Sequence, residues 1–313
     1  MMLRYARLCQ RLVLASGACF LLWGLGVNIA GFAGVFEQPT IGLAVLVISS
    51  GLYLASHAVR MVRLWLLIGG GRLRELLRLY WYTAAVSLAM PFKSGELIRI
   101  LEIGWSTKGV RFGIVVVWVE RAFDAALLAV VAIGLAYSAQ DARPFLLPFI
   151  GVMLLFLALS LIFLWAVPEN LPRINLHIMR VYSGRRAVQL LRGVGYLKTF
   201  SGDARKILQG RVLTFAILTL LIWTFELFAI ASIVAPHFPV ITGFTELLAK
   251  LIPGLSPSDA ESGTGVSPWI VSVFAQALLV QVLGCLVLVP YIRKRLEDTR
   301  NIGICDENAS GIR

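Results

Sequence analysis

Residues 90–99 read M-P-F-K-S-G-E-L-I-R and residues 117–124 read V-W-V-E-R-A-F-D, so ionisable side chains stand inside apolar sequence of membrane-spanning length. Their cost decides what kind of fold this chain can take. A charge at the centre of a membrane helix costs roughly 2.5–3.5 kcal/mol, so Glu120, Arg121 and Asp124 together cost on the order of 9 kcal/mol. About fifteen apolar neighbours return about 5–8 kcal/mol, at about 0.3–0.6 kcal/mol each. The segment crosses a bilayer comfortably only if the charges pair or face a wet cavity.

The rest of the chain agrees with a membrane setting. Hydrophobic residues make up 58% of the 313 and charged residues 15%, against about 25% charged in an average soluble domain. Mean hydropathy is +0.83. The net charge of +12 is explained by its distribution over loops, which removes the argument for a nucleic-acid partner. Cys9, Cys19, Cys285 and Cys305 show neither metal spacing nor a disulfide framework.

Apolar runs lie at about 12–36, 41–59, 112–138, 145–167, 211–235 and 268–292, each near the roughly 20 residues that cross the hydrocarbon. The first follows Arg4, Arg7 and Arg11, but it outruns a signal-peptide core and no clear cleavage site follows, so it is expected to stay as a span. Two shorter, broken stretches, 80–92 ending near Pro91 and 238–257 with Pro239, Gly243, Pro253, Gly254 and Pro257, read as re-entrant hairpins. The expected fold is an all-α polytopic membrane protein of about six spanning helices plus two re-entrant helical hairpins. With six spans, the amino terminus, residues 60–111, residues 168–211 and the tail share one side and hold 3, 9, 9 and 5 Lys plus Arg, 26 of the 29. The positive-inside rule puts that side, with both termini, in the cytoplasm.

This order repeats: two spans, a hairpin and a third span, then the same set inverted, giving halves at 12–138 and 145–292 of a single membrane domain over 1–292. Inverted repeats with broken helices are a recurring transporter architecture, although no residue-level similarity joins the halves. Residues 293–313 form a cytoplasmic tail. The 168–210 loop carries Arg185, Arg186, Arg192 and Lys198 among Val188, Leu190, Leu191, Val194 and Leu197, the pattern of a basic amphipathic helix. It would either lie along anionic inner-leaflet lipids or pack on its own membrane domain.

Within the first hairpin, Lys93, Glu96, Arg99 and Glu102 recur at i,i+3, and Pro91 with Gly95 makes a break. A helix starting near Gly95 offers unpaired N–H groups, and Lys93 and Arg99 add positive charge, which together suit a phosphate headgroup. Glu96 would orient those cations. The alternative is a surface helix with ordinary ion pairs. In the third span Glu120 and Asp124 share a face near the midplane and Arg121 reaches Asp124 at i,i+3, so these residues either line a translocation pathway or form a structural salt bridge. Glu226, in W-T-F-E-L-F, has no partner within one turn and needs one in space. His57, His177 and His237 are isolated, and no D-x-D cluster or Walker loop is present, so no catalytic residue, metal or cofactor is expected.

At these residues the chain resembles the lysylphosphatidylglycerol synthase transmembrane-region family of flippase-like membrane proteins. That family shows P-x-[RK]-x-G-E-x-x-R followed about two dozen residues later by E-R-x-x-D, matched here by Pro91, Lys93, Gly95, Glu96 and Arg99, then Glu120, Arg121 and Asp124. The family's late Pro and G-G-x-G-x-x-E element is replaced by P-G-L-S-P-S-D-A-E-S-G-T-G at 253–265. The resemblance implies movement of a lipid with a polar or anionic headgroup, a phospholipid or polyprenyl-linked glycolipid, between leaflets of a bacterial or archaeal plasma membrane during envelope biogenesis. Some relatives fuse this domain to a soluble aminoacyl-lipid synthase, which is not expected within the short 293–313 tail. The alternatives are a non-transporting membrane partner of an envelope glycosyltransferase or lipid synthase, and a membrane enzyme.

Overall fold

The computed structural model describes residues 2–36, 43–90, 94–138, 143–234 and 268–310, and among them every regular element is an α-helix. In chain order these are α1 (Met2–Phe36), α2 (Leu43–Ile68), α3 (Leu73–Ala89), α4 (Gly95–Ser106), α5 (Val110–Ser138), α6 (Arg143–Val181), α7 (Gly184–Leu208), α8 (Val212–Val234) and α9 (Pro268–Ser310). Five contain stretches long and apolar enough to cross a membrane: Leu8–Ala30, Ala44–Ile68, Leu146–Trp165, Val212–Ser232 and Phe274–Arg295. The expected sixth, α5, has 29 residues, ample length at about 1.5 Å each. It is set apart by Arg111, Glu120, Arg121 and Asp124.

The second apolar run does not stop at residue 59. Helix α2 continues to Ile68, carrying Arg60 and Arg63 inside the candidate span rather than in the loop after it. The reason is that both guanidinium groups find carboxylates on other helices. Three consecutive glycines then turn the chain, Gly69, Gly70 and Gly71, with φ of 87°, 94° and 132°, values that a side chain would strain.

The break expected near Pro91 is present. Met90 caps α3 in an extended conformation, φ −88° and ψ 136°, as a residue before proline should. Helix α4 then starts at Gly95, where a Cβ would run into the backbone of Ser87 on α3. At 17 and 12 residues, α3 and α4 reach only about 26 and 18 Å, short of the roughly 30 Å hydrocarbon core. The second expected hairpin, residues 238–257, the atypical 253–265 segment and Lys93 lie outside the described residues.

The chain forms two compact units, residues 1–51, 71–103 and 265–313 in one, 52–70 and 104–264 in the other. In the first, α1, α3 and α9 pack through small residues: Gly24 leaves only 2.7 Å between a would-be Cβ and the Ala89 Cβ, and a Cβ at Gly284 would collide with Ala85. Without a hydrophobic drive between helices in lipid, such close backbone approach is what holds them. Tyr82 and Tyr291 stack at 4.8 Å, and Asn28 donates to Gln281 at 2.8 Å.

In the second unit α5 packs on α6 through Ala132, Leu135, Ala136, Leu146 and Ile150. Trp118, Phe163 and Phe200, one each from α5, α6 and α7, meet with centroids 5.3–6.0 Å apart. The 168–210 region is thus the end of α6 followed by a return helix, turned at Gly184 with φ +64°. Leu171 and Ile178 of α6 bury Ala187 and Val194 of α7, so α7 packs on its own domain. Its buried stripe is Ala187, Val194, Ser201, Ala204 and Ile207, with Leu191 packed against it, so of the apolar residues in the sequence reading only Leu191 and Val194 face inward. Val188, Leu190 and Leu197 stay exposed.

Candidate functional site

The second unit holds a ladder of charges drawn from three helices. Along α2, Tyr53, Ser56, Arg60 and Arg63 fall at spacings of three and four, which places them on one face. Helix α5 supplies Glu120, Arg121 and Asp124, and α8 supplies Thr219 and Glu226. Three guanidinium groups therefore meet three carboxylates.

The ladder has two rungs. In one, Arg63 donates to Asp124 at 2.8 and 3.4 Å and to Thr219 Oγ1 at 3.0 Å, while its Nε lies 3.8 Å from Glu120. Arg121 reaches the same Asp124 at 3.3 Å along its own helix. Arg63, Glu120 and Asp124 are only 2%, 1% and 6% exposed, so their charges are removed from solvent and are tolerated because they face one another. Thr219 passes its own hydroxyl hydrogen to the Phe215 carbonyl at 2.8 Å, leaving its oxygen to accept from Arg63.

In the other rung, Arg60 donates to Glu226 at 2.6 Å. Ser56 lies 3.1 Å from the same carboxylate oxygen, and Tyr53 packs edge-on against His57 one turn away. The glutamate that lacked any partner within a turn is thus held from α2, 166 residues away in sequence.

The sequence puts Glu120 and Asp124 on one face, pairs Arg121 with Asp124 and leaves Glu226 in need of a distant partner; the structure brings all four into one ladder with α2. The sequence missed Arg60 and Arg63, which were assigned to a loop. A signal for them was present: the sequence after Arg60 stays apolar to Ile68, and both arginines continue the Tyr53–Ser56 face.

The proposed headgroup residues belong to the first unit. Gly95 opens α4, and Glu96 and Arg99 pair at 3.9 Å with side chains 22% and 11% exposed. Glu102, expected on the same side, is instead fully buried. It accepts a hydrogen bond from the Tyr291 hydroxyl at 2.5 Å and one from Arg295 at 3.0 Å, and Arg295 also donates to the Glu102 carbonyl at 3.1 Å. Nearby, Lys294 pairs with Glu75, a hydrogen bond that holds the Glu75 carboxyl below its ordinary range. Among the described residues, no three His, Cys, Asp or Glu side chains gather as a metal site. Cys9, Cys19 and Cys285 are free thiols.

No family model matches this chain, and neither a curated protein nor a solved structure does. What the fold itself defines, over the described residues, is a helical protein with several helices suited to a membrane.

Proposed function

We propose that this protein is a multi-pass membrane transporter that moves a lipid with an anionic headgroup between leaflets, as its resemblance to the flippase-like membrane proteins implies. The observation that carries the reading is the ladder of Arg60, Arg63 and Arg121 against Glu120, Asp124 and Glu226, buried at Arg63, Glu120 and Asp124 and partly exposed at the others. Apolar side chains of similar volume would hold three helices together at least as well as buried ion pairs. Arginine, however, can exchange a carboxylate for a phosphate with the same forked geometry. A headgroup entering the ladder would take guanidinium donors from Asp124 and Glu226 and return them on leaving. Glu96 and Arg99, with Lys93 and Gly95, would receive the headgroup first.

The topology that goes with this reading has six spans, α1, α2, α5, α6, α8 and α9, and a re-entrant α3–α4 hairpin. Both termini and α7 face the cytoplasm. With Arg60 and Arg63 moved from the loop into α2, 24 of the 29 Lys and Arg still fall on that side. An inverted repeat is supported by the packing partners: α1 with α9 in one unit, α6 with α5 in the other. That is the pattern of two halves that have exchanged their third spans.

The test is leaflet-specific accessibility of a fluorescent phosphatidylglycerol in proteoliposomes, at matched protein levels. The parent should accelerate its exchange; Asp124→Asn should abolish most of the gain, and Arg63→Lys, which keeps charge without the fork, should retain part of it. If Asp124→Asn, Arg63→Lys and Glu226→Gln all move lipid like the parent, the charges are structural. A membrane partner of an envelope glycosyltransferase or lipid synthase then becomes the better reading.

A further inference from the structure

A cavity of about 720 Å³ opens in the second unit between α5, α6 and the α7–α8 turn. Its size is in the ordinary range of ligand pockets, about 300–1,000 Å³. Ala122 and Ala126, one turn apart on α5, form its floor, and Leu157, Leu161 and Trp165 of α6 form a wall. The eight helical steps from Leu157 to Trp165 make that wall about 12 Å long. Leu161 and Trp165 are 58% and 66% exposed, so the trough is open along one side.

One end is cationic, and the reason lies in α6. Pro168 has no N–H to give the carbonyl four residues before it, that of Leu164, and Arg205 Nε donates to this carbonyl instead, at 2.9 Å. A second Arg205 nitrogen reaches the Trp165 carbonyl at 3.4 Å, and the guanidinium lies 5.9 Å from the Trp165 ring. The proline thus fixes a guanidinium at the mouth of an apolar trough. Arg205 is itself exposed and, of its five N–H donors, these bonds use only part. Lys206 follows it in the chain, while Arg211 is turned to α2 and donates to the Leu66 carbonyl at 3.1 Å. Asp203, the one carboxylate within this stretch of α7, is already paired with Arg111 at 3.2 Å.

We infer that this cavity is a binding site for an anionic phospholipid: one acyl chain lies in the trough over Ala122 and Ala126, and the phosphate meets Arg205. The charge pattern selects the occupant. A lipid without net negative charge would fill the trough equally well but leave the Arg205 charge without a net counter-charge at its end. The site is separate from the buried ladder and does not depend on the transport reading.

Native mass spectrometry of the full chain in mild detergent, supplied with equal amounts of dioleoyl phosphatidylglycerol and dioleoyl phosphatidylcholine, tests this directly. The parent should retain the anionic lipid over the zwitterionic one by about fivefold, what one basic residue contributes near an anionic lipid. Arg205→Gln keeps an N–H donor for the Leu164 carbonyl while removing the charge, and should bring that ratio close to one. Ala126→Trp and, separately, Ala122→Trp fill the trough and should reduce retention of both lipids; two positions guard against one variant failing to fold. Equal retention of the two lipids by the parent, an unchanged preference in Arg205→Gln, or unchanged bound lipid in the folded trough variants would each overturn the proposal.

Discussion

Replacing Arg63 by methionine is the sharpest perturbation of the buried ladder. The change removes a guanidinium that donates to Asp124 at 2.8 Å and to Thr219 at 3.0 Å and lies 3.8 Å from Glu120, while methionine keeps most of the side-chain length. Glu120 and Asp124 are left one helical turn apart with their main counter-charge gone. Removing one partner of a buried pair typically costs about 3–5 kcal/mol. Arg121 still reaches Asp124 at 3.3 Å, and Thr219 retains its bond to Phe215, so the low end, about 3 kcal/mol, is expected. At about 2–4 °C per kcal/mol for a chain of this order of size, the melting temperature in detergent should fall by about 6–12 °C. Adding Asp124→Asn and Glu120→Gln to Arg63→Met should restore more than half of that loss, because an apolar or neutral replacement of the whole set no longer strands a charge. Thermal unfolding followed by circular dichroism at matched detergent measures both. A shift below about 2 °C for Arg63→Met, or a triple variant less stable than the single one, would refute the argument that these groups are mutually compensating.

The second rung should couple as well: Arg60→Ala and Glu226→Ala, measured singly and together, are expected to show an interaction of about 1–2 kcal/mol in a double-mutant cycle, given their 2.6 Å contact and partial burial. Gly284→Val places a branched side chain where even a Cβ meets Ala85, and should cost about 2–3 kcal/mol by overpacking, read as a loss of melting temperature. Tyr291→Phe removes a donor to the fully buried Glu102 and should cost about 1.5–3 kcal/mol, with Glu102→Gln recovering part of it in the double variant. For the topology, Arg186→Cys in a background without other reactive cysteines should resist an impermeant thiol reagent in intact cells and react after permeabilisation. Labelling from outside would remove the cytoplasmic assignment of α7.

Much of the helical layout can be read from residue order alone. Apolar runs of about twenty residues have to become helices in a membrane, since only there are all backbone groups satisfied within one segment. Met90 before Pro91 and Gly95 after it mark the break between α3 and α4 by local sterics. The Arg121–Asp124 pair follows from a spacing of three. Even the need of Glu226 for a distant partner follows from the absence of a cation within a turn of it.

Which partner it takes is another matter. Arg60 and Arg63 resemble the first charges after a span, and only the packing of α2 beside α5 and α8 turns them into ladder members. The face that α7 buries was likewise undecided: Val188, Leu190 and Leu197 are more apolar than Ala187, Ser201 and Ala204, yet the smaller residues are the buried ones, because they let α7 come close to its neighbours. Glu102 shares a spacing with Glu96 and Arg99 but is withdrawn to Tyr291 and Arg295. Periodicity within a helix fixes which residues share a face; it carries no information on which other helix that face will meet. Contacts between residues 60 to 190 positions apart are therefore decided by tertiary packing.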